Sequence, residues 1–265
     1  MGRDGGADML ALSDDIVILR DFIQADIEDY VHWETVETEW KLWDAPWEHV
    51  GQTDAQRAAA LADDVAWMRG LAREVALFRD DAPRRRFEVC VLDGGEGPLD
   101  GGGAPLRGEG HGRTRRFYSG EEGLPPALHI GGVSTYRIDD DFSIAKDGPH
   151  LALGIDINSM SARGHGYALR ALRLFTEYLF EEGASELYSQ TWSGNERMIG
   201  LARRLGFTEC RRKPGQREVR GRRYDGLTFI LKSPCATVCR SSCRGRDKSG
   251  NRKDWDRRTG QGSPY

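Results

Sequence analysis

The stretch Ser161-Ala162-Arg163-Gly164-His165-Gly166-Tyr167-Ala168 separates two different patterns. Before it, residues 151–157 (LALGIDI) read as an apolar strand. After it, apolar residues recur at helical spacing from Tyr167 to about Phe180. Two glycines at a strand-to-helix turn leave backbone N–H groups uncovered by side chains. The partial positive charge of the helix N-terminus falls at the same place, and together they make a seat for a phosphate or pyrophosphate. The expectation is a phosphorylated ligand.

Working outward, residues 16–19 read as a short strand, and Asp26 is placed to cap a helix through Ile27, Tyr30 and Val31. Trp33, Trp40, Trp43 and Trp47 follow, and Thr53-Asp54 opens a second helix running to Leu71. Residues 87–92 and 129–138 are strands. Between them, residues 94–126 contain 11 Gly and 4 Pro, too few apolar groups to bury a core, and read as a flexible insertion in a hairpin. Residues 186–192 form a further strand. Asn195 then caps a helix that Gly206 ends, and residues 219–231 fold as strand, turn and strand. The order predicts one mixed α/β domain over 15–232, with six to seven strands and helices on both faces. Residues 1–14 read as a loose N-terminus and 233–265 as a basic disordered tail.

Composition narrows the function classes. The net charge is −4, yet residues 234–265 hold eight Arg/Lys against three Asp, so the body is acidic and is not a nucleic-acid binder by composition. No apolar run approaches the ~20 residues that span a bilayer. The first residues lack an apolar signal core, and a cytoplasmic location is expected. Cys90 and Cys210 read as core residues. Cys235, Cys239 and Cys243 lack a fourth ligand, so no metal site is expected. His111, among Gly and Arg, reads as solvated.

For the glycine turn, a dinucleotide fingerprint would want glycine at Leu169 and an acid where Trp192 stands, and a Walker loop would want Gly-Lys-Ser/Thr. Neither is present. The run Arg163-Gly164-His165-Gly166-Tyr167-Ala168 instead resembles the Gln/Arg-x-x-Gly-x-Gly/Ala signature of the GNAT superfamily of acyl-CoA-dependent N-acetyltransferases. Two further features agree in order and spacing. Asn195 starts a helix that ends in Leu205-Gly206-Phe207, and Tyr224-Asp225-Gly226 precede the last strand. The set is similar to the branch that contains the ribosomal-protein N-terminal acetyltransferases.

The resemblance implies a GNAT-like domain with a twisted, mostly antiparallel sheet and acetyl-CoA as co-substrate. The N–H groups of Gly164, His165, Gly166, Tyr167 and Ala168 would hold the CoA diphosphate, with Arg163 adding charge. Ile155 and Ile157 would offer backbone groups to the pantetheine arm, and Asn195 would contact the coenzyme. Asp156 shares a strand face with the small residues Ala152 and Gly154 and is the candidate base. The family's Tyr position is Ala202 here, which leaves Tyr188, Tyr224 and Ser193 as candidate acids. On the acceptor side, Trp43, Asp44, Trp47 and Glu48 would suit a cationic amine.

The implied reaction is acetyl transfer to a primary amine, of a small molecule or a protein N-terminus. The alternative is a catalytically silent acyl-CoA-binding module. A third possibility assigns the basic tail to tethering on RNA or an acidic partner. Neither the acceptor nor the oligomeric state is named by any acidic groove or basic field visible in the chain.

Overall fold

In the computed structural model, the described residues are 8–75, 77, 83–93, 114–119 and 121–234. They form nine strands and four α-helices in one sheet. The strands are β1 (Asp8–Ser13), β2 (Val17–Arg20), β3 (Arg86–Leu92), β4 (Thr114–Ser119), β5 (Ala127–Ile138), β6 (His150–Ile157), β7 (Glu186–Trp192), β8 (Thr208–Val219) and β9 (Arg222–Lys232). The helices are α1 (Asp26–Thr35), α2 (Asp54–Val75), α3 (Tyr167–Glu181) and α4 (Glu196–Arg204). The sheet order is β4-β1-β2-β3-β5-β6-β7-β9-β8, and every pairing is antiparallel except β6 with β7.

The mixed α/β architecture agrees with expectation, but the sheet is wider. Two strands come from segments read as structureless. β1 lies within the stretch expected to be loose, because Leu10 and Leu12 enter the main core while Ala11 packs on the opposite face. Asp21 fixes β1 in place, its carboxylate accepting from Leu10 N–H at 2.8 Å. β4 lies within the Gly-rich insertion and pairs with β1 over six residues. The rest of that insertion (94–113 and 120), His111, residues 1–7 and the cysteine-containing tail from 235 lie outside the described residues. β8 also begins eleven residues before the expected strand at 219.

Helix starts follow local chemistry, with one exception. Thr53 and Gln56 form a reciprocal capping box at α2. Asn195 accepts from Met198 N–H at 3.1 Å to cap α4. Asp26 does not cap α1. It is buried, and both its oxygens accept from the Arg20 guanidinium at 2.7 and 2.6 Å, so pairing that charge takes precedence over capping.

The main core lies between one sheet face and helices α3 and α4. α3 places Leu172, Phe175, Tyr178 and Leu179 there with no exposed surface, each stabilising the fold by about 1.5–3 kcal/mol. α1 and α2 cover part of the other face through Phe22, Ile27, Met68 and Val75. The C-terminal halves of β6 and β7 on that second face are left open to a large cavity.

Candidate functional site

The site begins where the sheet stops being continuous. β6 and β7 are eight and seven residues long, yet Ala152 with Tyr188 is their one paired position. Beyond it the strands part, and Gly154 to Ile157 and Gln190 to Trp192 line a cavity of about 2720 Å³. A small-molecule pocket is usually about 300–1,000 Å³, so this space suits an extended ligand together with a second one. A Cβ built on Gly154 would meet nothing within 4 Å. At Gly154 this face of β6 therefore borders open space, whereas Ala152, two residues earlier, is packed with Ile138 and Tyr188.

Along β6 the alternation falls as the residues dictate. Leu153 is in the main core and Leu151, Ile155 and Ile157 pack against it. Of Ile155 and Ile157, therefore, the backbone is what remains for a ligand. Ala152, Gly154 and Asp156 face the other way.

The glycine turn adopts the geometry its residues permit. Gly164 and Gly166 have φ of +82° and +80°, and Gly166 is the N-cap of α3 with no side-chain cap. The N–H groups of Leu169 and Arg170 donate to Gly166 O. Among the described residues, none accepts from the N–H groups of 164–168. These five amides stand at the head of a 15-residue helix, the kind of position that suits an anion.

Arg163 does not extend into that position. Its guanidinium folds back onto Ile157 O and Asn158 O at 3.0 and 3.2 Å and pairs with Glu39. His165 is exposed and stacks on Tyr167 at 5.4 Å.

Asn195 serves two elements. While its oxygen caps α4, its amide donates to Trp43 O at 3.2 Å, and Trp192 Nε1 donates to the same carbonyl at 3.0 Å. These bonds clamp the loop between the 3-10 turns Thr38–Leu42 and Pro46–His49 against β7. Ala45, the second residue past the clamped carbonyl, has φ +39°, an uncommon conformation for a side-chain-bearing residue.

Asp44 thus lines the same cavity as Asp156. Burial, then the charge of Asp156, then that of Glu48 push the Asp44 carboxyl well above the usual carboxylate range. Burial likewise pushes Asp156 up to about 6, with Arg86 acting against it. Two half-buried carboxyls, one raised by the charge of the other, can share a proton or hold one cation.

The indoles are arranged differently from expectation. The face of Trp43 is covered by the Arg197 guanidinium at 4.1 Å and that of Trp47 by Arg217 at 4.3 Å. Cation–π contacts there are already made within the chain, which leaves Asp44 of the expected acceptor-side residues as the group facing the cavity for an amine.

Several residues of this face were not singled out from sequence. Arg86 donates to Glu88 Oε1 at 2.8 Å and to Tyr30 Oη at 2.6 Å, and Tyr30 donates to Glu88 Oε2 at 2.6 Å. His129 bridges Glu88 and Asp29 at 3.1 and 2.9 Å. Burial disfavours charge on His129, but these hydrogen bonds outweigh it and raise its pKa to about 9. Burial also opposes the charge of Glu88, and Arg86 and His129 together bring it down to about 2.

Ligand atoms of Asp26, Asp29 and His129 lie within 4.8 Å of one another. Arg20 holds both oxygens of Asp26, however, and His129 spans two carboxylates, so the group stands as an ion-pair network. Its sequence signal was weak because the partners come from α1, β3 and β5.

Of the candidate acids, Tyr188 donates to Glu186 at 2.8 Å, Ser193 Oγ accepts from Asp225 N–H at 3.0 Å and Tyr224 packs edge-on to Trp192. Ala202 is in the main core.

The family model of the acetyltransferase (GNAT) domain matches residues 106–208. No curated protein sequence matches the chain. Among solved structures, Mycobacterium smegmatis RimJ in complex with CoA-disulfide is similar at TM-score 0.52 and 14% identity, over 85% of this chain and 88% of that one. The Microcin C7 self immunity acetyltransferase MccE, in complex with acetyl-CoA and AMP, is similar at TM-score 0.50 and 12% identity, over 83% and 94%. At these identities the likeness establishes the fold. No helix among the described residues is long and apolar enough to cross a membrane.

Proposed function

We propose, from the match of residues 106–208 to the acetyltransferase (GNAT) domain, that the chain transfers the acetyl group of acetyl-CoA to a primary amine. The observation that supports this reading most is the adjacency of two sites. Five amides on the glycine turn, without a partner among the described residues, border the same cavity that Asp156 and Asp44 line. The diphosphate of the coenzyme would take the amides of 164–168. The pantetheine arm would run along the backbone of Ile155 and Ile157, past the open position at Gly154.

An incoming ammonium must lose a proton before its nitrogen can attack the thioester carbonyl. Asp156, at about 6, accepts that proton at neutral pH. The C–N bond then forms as the C–S bond breaks, and the departing thiolate takes up a proton. Asp44 lines the same cavity and would hold the ammonium once the cation's charge favours its ionised form. Arg163, engaged with two carbonyls and Glu39, shapes the turn and would reach the phosphates only by releasing Glu39. The acceptor class is a small-molecule or protein N-terminal amine, and a cytoplasmic setting with reduced coenzyme A fits the reaction.

The test is calorimetric titration with acetyl-CoA, followed by thiol release against a panel of primary amines. Binding and amine-dependent thiol release are expected. Binding without thiol release on any amine would favour the catalytically silent module, and absence of binding would remove both readings.

A further inference from the structure

Strand register places a band of positive charge on the same sheet face as the acidic pocket. Gly132 of β5 pairs with Asp156, Ala152 of β6 with Tyr188, and Gln190 of β7 with Thr228. Thr228 pairs in turn with Arg211 of β8 and Gly226 with Lys213. Directly paired residues share a face, and alternate residues along a strand do too. Asp156, Gln190, Thr228, Arg211 and Lys213 therefore lie on one continuous face. Arg222, paired with Val219, extends it toward the hairpin tip.

Residues 203–223 hold nine Arg/Lys against two Glu. On the opposite face, Arg212 is neutralised by Glu209 and Asp225. Arg211, Lys213 and Arg222 have no acidic partner among the described residues. β8 is an edge strand, so nothing of the sheet lies beyond them. Lys213 and Arg217 also line the cavity that contains Asp44 and Asp156.

We propose that the acceptor is a polypeptide N-terminus followed by acidic residues: its ammonium enters between Asp44 and Asp156, and its downstream carboxylates lie on Arg211, Lys213 and Arg222. This deepens the acetyl-transfer reading and rests on it. The span is consistent with an extended chain. Three strand spacings of about 4.8 Å separate β6 from β8, and the parting of β6 and β7 widens that distance. At about 3.3 Å per residue, the acidic side chains fall near positions four to six of the peptide. A cation-rich acceptor such as a polyamine would meet the same arginines with like charge.

The test uses the full-length chain, acetyl-CoA and three hexapeptides with free N-termini and identical first three residues, carrying Glu, Gln or Lys at positions four to six. The Glu peptide is expected to show kcat/KM about tenfold above the Gln peptide, and the Lys peptide to fall below both. In the double variant Arg211→Glu, Lys213→Glu the order should invert, and in Arg211→Gln, Lys213→Gln it should flatten. Equal kcat/KM for all three peptides in an enzyme that acetylates them removes the charge-reading surface alone. Failure to acetylate any peptide or simple primary amine removes the acetyl-transfer reading beneath it.

Discussion

Trp192 Nε1 donates a 3.0 Å hydrogen bond to the carbonyl oxygen of Trp43, 149 positions earlier in the chain. This bond, with the second from Asn195, brings an acid from a loop between two short turns to the cavity that an acid on the central strand also lines. The Arg197 and Arg217 guanidinium groups, stacked on Trp43 and Trp47, hold the same loop.

Asp156→Asn is expected to lower kcat by about 10²–10⁴-fold, the usual contribution of a general base, with little change in acetyl-CoA affinity. In the wild type, kcat/KM should rise with pH through an inflection near 6, where Asp156 loses its proton. A variant that keeps wild-type turnover, or the same inflection, would falsify the assignment.

Gly154→Val separates folding from binding. A Cβ at this position meets nothing within 4 Å and a β-branched residue suits a strand, so the melting temperature should stay close to that of the wild type. Acetyl-CoA affinity, measured by calorimetry, should fall at least about tenfold because the branched side chain fills the ligand's path. Unchanged affinity would place the coenzyme elsewhere.

Asn195→Ala removes a helix cap and one of the two bonds to Trp43 O together. A loss of about 1 kcal/mol is expected from the cap in denaturant unfolding. Freed from one bond, Asp44 should hold the amine less well, and KM for the acceptor should rise more than kcat falls. An unaltered acceptor KM would show that the Trp192 bond suffices.

The buried network on β3 and β5 gives a pH dependence with a definite sign. His129 is raised from 6.5 to about 9 in the fold, so its contribution is complete below pH 6.5 and is lost as pH rises through 9. Glu88 is lowered from 4.5 to about 2, so its contribution is complete above pH 4.5 and is lost as pH falls toward 2. The stability difference between wild type and His129→Gln should therefore shrink between pH 6.5 and 9. Glu88→Ala, which strands Arg86, should cost about 3–5 kcal/mol at pH 6. Thermal unfolding of both variants across pH checks the two together, and a wild-type advantage over His129→Gln that grows with alkalinity would contradict the assignment.

Much of this was legible in the chain because it depends on local rules. The glycine turn, the caps at Thr53 and Asn195, the helical face of α3 and the alternation of residues 151–157 are each set by near neighbours. So was the pairing of small residues with Asp156 on one face. Local reading failed where long-range contact overruled composition. Residues 8–13 and 114–119 follow or flank glycine-rich stretches, yet they form strands because each completes the other's backbone hydrogen bonds at the sheet edge. Asp26, a plausible cap by position, was recruited by Arg20.

By itself, then, the sequence determined the mixed α/β class, the glycine turn at 164–168 that opens α3 and the face on which Asp156 lies, because period, turn geometry and helix polarity act over a few residues. The tertiary structure alone decided what stands around that acid. It set Asp44 on the same cavity as Asp156, covered both indoles with arginines and aligned Arg211 and Lys213 with the pocket. Those relationships arise from hydrogen bonds and strand registers between segments far apart in the chain, which no local periodicity encodes.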